Sequence, residues 1–379
     1  MNLPLTTSPV LAALAVALVA TVVWVYACHR RGKGAISAVA AVVVMALLLV
    51  AAGVNSYFFY VPNVGALLGR RARYEASAAN VRARLASSTP PSHGAVILAD
   101  IPGRSSRFHP RRAQVYLPPA WFMSPRPHLP VIELLHGTPG GPADWTRAAD
   151  ADVTAERWAA KHDGVAPIIV MPDVNGAFWA DTECVNGTAG NAETYLTQDV
   201  PMWTIAHLRA ATSRGSWAIA GASEGGYCAL MLALRHPSRY STFADFSGLA
   251  RPTARGGAQT LFRGSPAQIA AYLPANLLSH YHGAALAGWF AVGGSDGGTT
   301  RAVVAMGRKA RAHGIRTRLT VMPGAHHTWR VWRSAFADAQ PWLATQLGAT
   351  SPPPSGTQLT ARRQLHPVGR VDTDSARDA

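Results

Sequence analysis

Cysteine is scarce in this chain, and charged residues are few. Three cysteines occur among 379 residues, and no two of them have the C-x-x-C spacing of a structural zinc site. Charged residues make up 15% of the sequence, and the formal net charge of +15 comes almost entirely from arginine. The basic residues do not alternate with aromatic residues, and no zinc-finger or RNA-recognition signature occurs. We therefore predict no nucleic-acid partner and no metal site.

The cysteines leave one question open. Cys28 lies in a long apolar run, away from the other two. Cys184 and Cys228 would form a disulfide if a loop and a helix brought them together. The alternative is two free thiols, with Cys228 acting as a small buried apolar residue. The sequence favours neither.

Two long apolar runs begin the chain. Residues 9–28 and 35–54 each approach the roughly 20 residues that a helix needs to cross a bilayer, and basic residues lie between them at 29–33. We predict a two-helix transmembrane hairpin over residues 1–56, which makes the protein a multi-pass cell-membrane protein. A cleavable signal peptide is the alternative for the first run. It fits poorly, because Met1–Pro4 carry no basic residue and a second run follows at once.

The basic residues of the hairpin also predict its orientation. Positive charge between the runs places the hairpin tip in the cytoplasm and the rest of the chain outside it. Arg70, Arg71 and Arg73, just beyond the second run, are the opposing signal. The aromatic residues Tyr57–Tyr60 predict a belt at the membrane interface.

The pattern changes again after the hairpin. We predict a linker over 57–93, with helical character near 71–85, and a Pro-, Ser- and Arg-rich disordered tail over 348–379. Between them, residues 94–347 alternate short apolar strands with helices, which predicts an α/β domain with a doubly wound, mostly parallel sheet. Strands are predicted at 95–99, 113–117, 131–135, 167–171, 216–220, 242–246, 288–292 and 316–321, and helices at 191–213, 224–236, 297–313 and 330–346.

A G-x-S-x-G motif, Gly221–Gly225, follows one of these strands and begins a helix. That context is typical of a nucleophile elbow. Small residues on either side of Ser223 let the strand and helix approach closely, so that the hydroxyl projects above the sheet. The helix N-terminus behind it favours negative charge. The alternative is a glycine-rich turn with an N-capping serine.

Ser223 needs a base and an orienting acid farther along the chain. Asp296 follows a predicted strand and is our candidate acid, although an Asx turn or a helix N-cap would also explain it. Asp245 competes, since it too lies near a strand end. His326 and His327 follow the last strand, and the spacing leaves both open as the base.

Acyl transfer needs an oxyanion hole, in which backbone N–H groups point to the position where negative charge develops on a substrate oxygen. The amide after the nucleophile belongs to Glu224. A second donor is expected in the loop His136–Gly141, where Thr138 is the candidate, because Pro139 has no N–H. A phosphate-binding loop is the alternative, but the segment lacks the G-K-[ST] ending.

Further motifs carry a family resemblance: Tyr116–Pro119, His136-Gly137, Asp144-Trp145, Met171–Asp173, Glu193–Thr197, the elbow and His327–Trp332. With them, residues 95–346 resemble the esterase family of α/β-hydrolases that includes esterase D-like enzymes and mycolyltransferases. In that family the base precedes x-Trp, which selects His327. The resemblance implies an acyl-serine that passes its acyl group to water or to another hydroxyl.

These observations predict a membrane-anchored serine esterase of the α/β-hydrolase fold that acts on lipid or cell-envelope esters. Ser223 is the predicted nucleophile, His327 the base and Asp296 its orienting acid, with Thr138 and Glu224 forming the oxyanion hole. No metal or cofactor is implied. One alternative is acyl transfer to a sugar or lipid hydroxyl, and another is a catalytically silent, membrane-tethered binding module.

Overall fold

The structure is a computed structural model that describes residues 4–30, 35–68, 72–87, 89–254 and 256–350. Arg70 and Arg71, one opposing signal for the orientation of the hairpin, lie outside the described residues. So does most of the predicted tail, from residue 351 onward.

Two long helices, α1 (Ser8–Arg30) and α2 (Ala35–Phe58), pack along each other at the N-terminal end. Both are long and apolar enough to cross a membrane, and their apolar windows are not buried in the protein. Two short helices follow, α3 (Val64–Leu67) and α4 (Ala78–Ala86). The helix near residue 71–85 is therefore shorter than predicted.

The end of α2 is fixed by one side chain. The Asn55 amide donates to Val61 O at 2.8 Å and accepts from Val61 N at 2.7 Å. This pair of bonds closes a turn around Phe59, which has a left-handed φ of 60°. Leu5 N donates to Pro62 O at 2.9 Å, so the chain just before α1 is held at the same place.

The segment after the hairpin is also attached to the α/β domain. Ala76 N donates to Val96 O, and Val96 N donates to Tyr74 O. The buried Asp152 carboxylate accepts from the amides of Arg73 and Tyr74 at 2.8 and 3.1 Å. These bonds pair the segment with the first strand of the sheet.

The α/β domain contains an eight-stranded sheet and a two-stranded ribbon. The strands are β1 (Ala95–Ala99), β2 (Ala113–Leu117), β3 (Val131–Leu135), β4 (Ile168–Met171), β5 (Asn186–Gly187), β6 (Gly190–Asn191), β7 (Trp217–Ala222), β8 (Thr242–Phe246), β9 (Ala287–Gly293) and β10 (Arg316–Met322). The large sheet has the order β1-β2-β4-β3-β7-β8-β9-β10. Only β2 runs antiparallel to its neighbours β1 and β4. The predicted mostly parallel, doubly wound sheet is confirmed.

Ten helices accompany the sheet in the described part of the domain: α5 (Asp144–Arg147), α6 (Ala151–Ala159), α7 (Ala192–Thr194), α8 (Val200–Leu208), α9 (Glu224–Arg235), α10 (Gly257–Leu261), α11 (Pro266–Ala271), α12 (Pro274–Ser279), α13 (Gly298–Ala312) and α14 (Trp329–Gln346). The long helix predicted at 191–213 is interrupted by a π turn at Tyr195–Asp199 and ends early, because Arg209 adopts a left-handed φ of 53°. Helices α5, α6, α10, α11 and α12 were not predicted.

Each face of the sheet has its own core. In β3, Val131 and Leu135 point to one face, and Ile132 and Leu134 point to the other. Helix α9 packs on the first face, whereas Phe336 of α14 packs on the second. Each fully buried large side chain contributes about 1.5–3 kcal/mol. Because β7, β9 and β10 are parallel, the residues that follow their carboxyl ends meet at one edge of the sheet.

Candidate active site

Ser223 lies in a strained turn between β7 and α9, with φ 57° and ψ −119°. Two glycines make this turn possible. A Cβ at Gly221 would lie 2.2 Å from Gly225 O, and a Cβ at Gly225 would lie 2.4 Å from Leu135 O. Any larger residue at either position would therefore force the strand and the helix apart. The geometry is that of the predicted elbow.

Ser223, His327 and Asp296 form a chain of two hydrogen bonds. His327 Nε2 lies 2.8 Å from Ser223 Oγ, and His327 Nδ1 lies 2.7 Å from Asp296 Oδ2. An ionised carboxylate only accepts hydrogen bonds, so Nδ1–H donates to Asp296 and Nε2 accepts from the serine hydroxyl. The His327 side chain is 32% exposed and that of Asp296 is 7% exposed. The structure thus brings together three residues that follow three different strands.

The two competing residues lie elsewhere. His326 is exposed, and its ring contacts that of Tyr57 at the end of α2, with the centroids 5.8 Å apart. Asp245 is buried, and its carboxylate accepts from Gly248 N at 2.6 Å. Burial raises the pKa of Asp245 to about 7. The hydrogen-bond partner of His327 is Asp296.

Trp332 of α14 holds the His327 ring from the side. The two rings meet edge to face, with centroids 4.9 Å apart and planes at 87°. Trp332 in turn meets Trp329 edge to face at 4.9 Å. Both tryptophans are buried. The two tryptophans of the His-x-Trp-x-x-Trp motif therefore orient the imidazole by packing.

The loop with Thr138 passes directly beside Ser223. A Cβ at Gly137 would lie 3.2 Å from Ser223 Cβ and 3.7 Å from Glu224 N, so only glycine fits comfortably there. The Thr138 hydroxyl contacts the Glu224 carboxyl group and accepts a hydrogen bond from Asn175 Nδ2 at 2.6 Å. The side chain of Glu224 consequently fixes the loop that carries the other candidate oxyanion donor.

The Glu224 carboxyl group is buried in a small acidic cluster. It accepts from Asn175 Nδ2 at 2.9 Å and from Glu183 N at 3.1 Å. Burial, with added repulsion from Asp181 and Glu183, raises the pKa of Glu224 well above its ordinary value. Burial likewise raises the pKa of Glu183 to about 7. Burial and the neighbouring carboxyl groups therefore favour the uncharged form of the Glu224 side chain, which reduces the negative charge beside the candidate oxyanion hole.

A disulfide joins Cys184 to Cys228, which answers the question that the sequence left open. It ties the loop that carries Glu183 to the second turn of α9. Among the described residues, the two sulfurs and a Glu224 oxygen are one group close enough to hold a metal ion. Because the sulfurs are bonded to each other, they are not the thiolate ligands that a metal would need.

An ion pair between the partly exposed Arg111 and the buried Asp173 supports the same loop, and sequence reasoning assigned this pair no role. Arg111 donates to Asp173 through Nε at 2.9 Å and Nη2 at 2.6 Å, and Nη2 also reaches Gly140 O at 2.9 Å. His136 Nε2 lies 3.1 Å from Asp173 Oδ1. Burial alone would raise the pKa of Asp173, but these hydrogen bonds outweigh it and hold the pKa well below its ordinary value. The His136-Gly137 and Met171–Asp173 motifs were the available signal.

Comparison with known proteins identifies the family. The family model described as "Putative esterase" matches residues 106–343. The chain belongs to this esterase family. An uncharacterized protein of Corynebacterium glutamicum is 32% identical over 326 residues, which cover 82% of this chain and 76% of that protein. The MPT51 antigen of Mycobacterium leprae is 28% identical over 179 residues, which cover 47% of this chain and 48% of the antigen.

Solved structures agree on the fold of this esterase-family hydrolase. The S-formylglutathione hydrolase of Agrobacterium tumefaciens superposes with a TM-score of 0.57 at 19% identity, covering 69% of this chain and 99% of that enzyme. At this identity the likeness speaks for the fold alone. The predicted α/β-hydrolase fold is confirmed, and so is the resemblance to the esterase family.

Proposed function

We propose that this esterase-family hydrolase is a serine esterase that forms an acyl-serine on Ser223. The observation that carries the proposal is the chain of hydrogen bonds from Ser223 Oγ through His327 to Asp296, at 2.8 and 2.7 Å. Its side chains come from residues far apart in sequence. A binding module would not need a nucleophile, a base and an orienting acid in line.

In the first half of the reaction, Ser223 Oγ attacks the ester carbonyl carbon while His327 Nε2 takes the hydroxyl proton. The carbonyl oxygen becomes an oxyanion, which the amides of Glu224 and Thr138 stabilise. Asp296 stabilises the imidazolium. His327 then gives its proton to the alcohol oxygen, the C–O bond breaks, and the acyl group stays on Ser223.

In the second half, an acceptor hydroxyl loses its proton to His327 and attacks the acyl-serine. Water as the acceptor gives a carboxylic acid and completes hydrolysis. A sugar or lipid hydroxyl would give a new ester instead, since the same three residues serve both reactions. The partial exposure of His327 leaves an approach for either acceptor. We favour hydrolysis and keep acyl transfer as the alternative.

We further propose that α1 and α2 span the cell membrane and that the catalytic domain lies outside the cytoplasm. The length and apolar composition of both helices support the anchor. The basic residues between the helices support a cytoplasmic tip. The Cys184–Cys228 disulfide supports an oxidising compartment for the domain. Such a placement favours lipid or cell-envelope esters as substrates.

A fluorophosphonate probe that reacts with activated serines tests the catalytic proposal. We expect labelling of the full chain in detergent and none of Ser223→Ala. Ser247→Ala is the matched control and should label as the parent does, because Ser247 also follows a parallel strand but is fully buried. Absence of labelling in the parent would favour a silent binding module.

Mass spectrometry of the products separates the two reactions. The enzyme is incubated with a lipid extract, with and without an added sugar acceptor. Release of free fatty acid in both samples supports hydrolysis, whereas a new acyl-sugar at the expense of free acid supports transfer.

For the topology, protease added to cells with permeabilised outer layers should cut the catalytic domain. Full protection would place that domain in the cytoplasm.

A further inference from the structure

The base of the hairpin touches the rim of the candidate active site. Tyr57, in the last turn of α2, contacts His326, the residue next to His327. The Arg330 guanidinium, at the start of α14, lies 4.7 Å from the centre of the Phe59 ring. The end of the second apolar helix is therefore fixed beside the loop that carries the candidate base.

On the other side of the site, the hairpin base meets a second loop. The Tyr60 hydroxyl donates to Asp144 Oδ1 at 2.9 Å, and the Tyr60 ring lies 6.3 Å from that of Phe178. The backbone around Phe178 supports the oxyanion loop, because Gly140 N donates to Phe178 O at 3.1 Å. The next residue, Trp179, is 78% exposed. A large aromatic side chain thus points outward where the site and the hairpin meet.

The depth of these contacts follows from helix geometry. The apolar run of α2 ends at Val54, and Tyr57 lies three residues farther on, about 4.5 Å along the helix axis. The headgroup layer on each side of a bilayer is about 5–7 Å thick. If α2 spans the membrane, Tyr57 and its contact His326 lie at headgroup depth. Ser223, which is hydrogen-bonded to the adjacent His327, then lies close to the membrane surface.

We infer that the Phe178–Trp179 loop is a second membrane contact of this protein, and that the active site takes its ester from the adjoining bilayer. The inference rests on the proposed function and its membrane anchor. A lipid surface is the occupant that fits, because Phe178 contacts Tyr60, two residues past the end of an apolar helix that the protein leaves uncovered. Tryptophan is also a residue that favours the membrane interface.

A depth measurement tests the contact without relying on activity. The full chain with Cys28→Ser and Trp179→Cys is labelled with the fluorophore NBD and placed in nanodiscs of phosphatidylcholine and phosphatidylglycerol. The Cys184–Cys228 disulfide leaves the new thiol as the one to label. The control position is Met202→Cys on α8, where the native side chain is 61% exposed. We expect lipids spin-labelled near the headgroup to quench NBD at residue 179 and not at 202.

No quenching at residue 179, in a chain that stays with the discs, would overturn the inference while leaving the anchor intact. A chain that leaves the discs would overturn the anchor and the inference together. Equal quenching at residues 179 and 202 would also overturn it, since the loop would then be no special contact.

A second measurement tests the substrate route with two esters of one fluorogenic alcohol, a palmitate carried in the discs and a water-soluble acetate. We expect Trp179→Ser to lower the ratio of palmitate to acetate turnover about tenfold, because the variant lacks the large aromatic side chain that the lipid would bury. Met202→Ser should leave the ratio unchanged. An equal loss on both esters would overturn the inference, since Trp179 would then line the catalytic pocket. A parent chain inactive on both esters would sink the proposed function instead, and the depth measurement would still decide the contact.

Discussion

The two neighbouring histidines belong to two different regions of the molecule. His327 belongs to the proposed reacting centre, the group Ser223, His327 and Asp296, where it bonds to the other two residues. His326 belongs to the hairpin base, where it contacts Tyr57. The three side chains of the reacting centre are joined by hydrogen bonds, whereas the hairpin base meets the domain through ring contacts, the Tyr60 hydroxyl and a bond from Arg330 to Thr6 O at 3.4 Å. One loop therefore carries both the candidate chemistry and the placement of the domain against α2.

This difference predicts different responses to substitution. A hydrogen bond to a reacting atom is lost completely when its side chain is removed, and it has no substitute. Ring contacts around the hairpin base are shared among Tyr57, Phe59 and Tyr60, so that the loss of one leaves the others. Changes in the reacting centre should therefore alter turnover by orders of magnitude, and changes in the hairpin base should alter it little.

The largest expected effect separates the histidines directly. His327→Ala should lower kcat on a soluble ester by about 10⁶-fold, because the serine loses its base. His326→Ala should keep most of the turnover, because its ring points to Tyr57. Steady-state kinetics in detergent with one soluble ester measures both. Equal losses in the two variants would erase the comparison and reopen the assignment of the base.

The orienting acid gives the next largest effect. Asp296→Asn should lower kcat by about 10⁴-fold, because the amide no longer holds the tautomer in which Nδ1 carries the proton. Asp245→Asn is the matched control, since an asparagine oxygen can still accept the bond from Gly248 N. The same kinetic assay checks both. A greater loss from Asp245→Asn would make Asp245 the functional acid.

Substitution of Glu224, whose carboxyl group supports the candidate oxyanion hole, should have an intermediate effect on turnover. Glu224→Ala removes the partner of Thr138, Asn175 and the Glu183 amide, and unsatisfied buried groups of this kind predict a loss of about 10–100-fold. Glu224→Gln should retain most activity near pH 7, because burial favours the uncharged form of the native carboxyl group. A collapse of activity in Glu224→Gln would mean that the site needs the charge.

A buried carboxyl outside both regions should affect stability alone. Burial raises the pKa of Glu133 to about 8, and Tyr240 donates to it at 3.0 Å. The folded state thus favours the protonated form. Its contribution to stability is complete below the ordinary pKa of 4.5 and is lost as the pH rises through about 8. The slope for this proton approaches about 1.4 kcal/mol per pH unit.

Glu133→Gln should therefore flatten the fall in thermal unfolding midpoint between pH 5 and 8. The parent and the variant are scanned in the same detergent at each pH. An identical pH dependence in both would show that Glu133 does not carry the effect, and that Asp245 or Glu183 must be tested in its place. Turnover at pH 7 should change little, since neither region loses a contact.

Sequence reasoning anticipated the sheet and the grouping of Ser223, His327 and Asp296 better than the contacts of the hairpin base, and the reason is physical. Short apolar strands and the glycines around Ser223 are local signals, since Gly221 and Gly225 are required by close backbone approach. The pairing of β9 and β10 then places Asp296 and His327 side by side. Local spacing did not distinguish His327 from His326 as the candidate base, whereas the family motif favoured His327.

Other features depended on contacts that no local pattern encodes. Helix α6 is short, and the residue before it, Asp150, has a left-handed φ of 50° and makes no side-chain cap bond, so it gives no start signal. The Tyr60–Asp144 bond joins residues 84 positions apart. Asp173 ends one of the family motifs, but its pair with Arg111 supports the Thr138 loop only because Arg111 also bonds Gly140 O. That contact is formed by the folded chain. Long-range polar contacts of this kind are set by the folded chain as a whole.

The two hydrogen bonds between the Asn55 side chain and the Val61 backbone have a consequence for how the enzyme meets its substrate. A catalytic domain on a long, loose tether would sweep through a volume and collide with esters from every direction. Here the chain turns sharply within a few residues of α2, and the bonds between Asn55 and Val61 hold that turn. The domain therefore cannot rotate freely about the end of the helix. Under the proposed anchor, encounters then become two-dimensional. Lateral diffusion of the anchored protein and of its lipid neighbours sets their frequency, and the amount of lipid per unit area replaces bulk concentration as the variable that governs the rate.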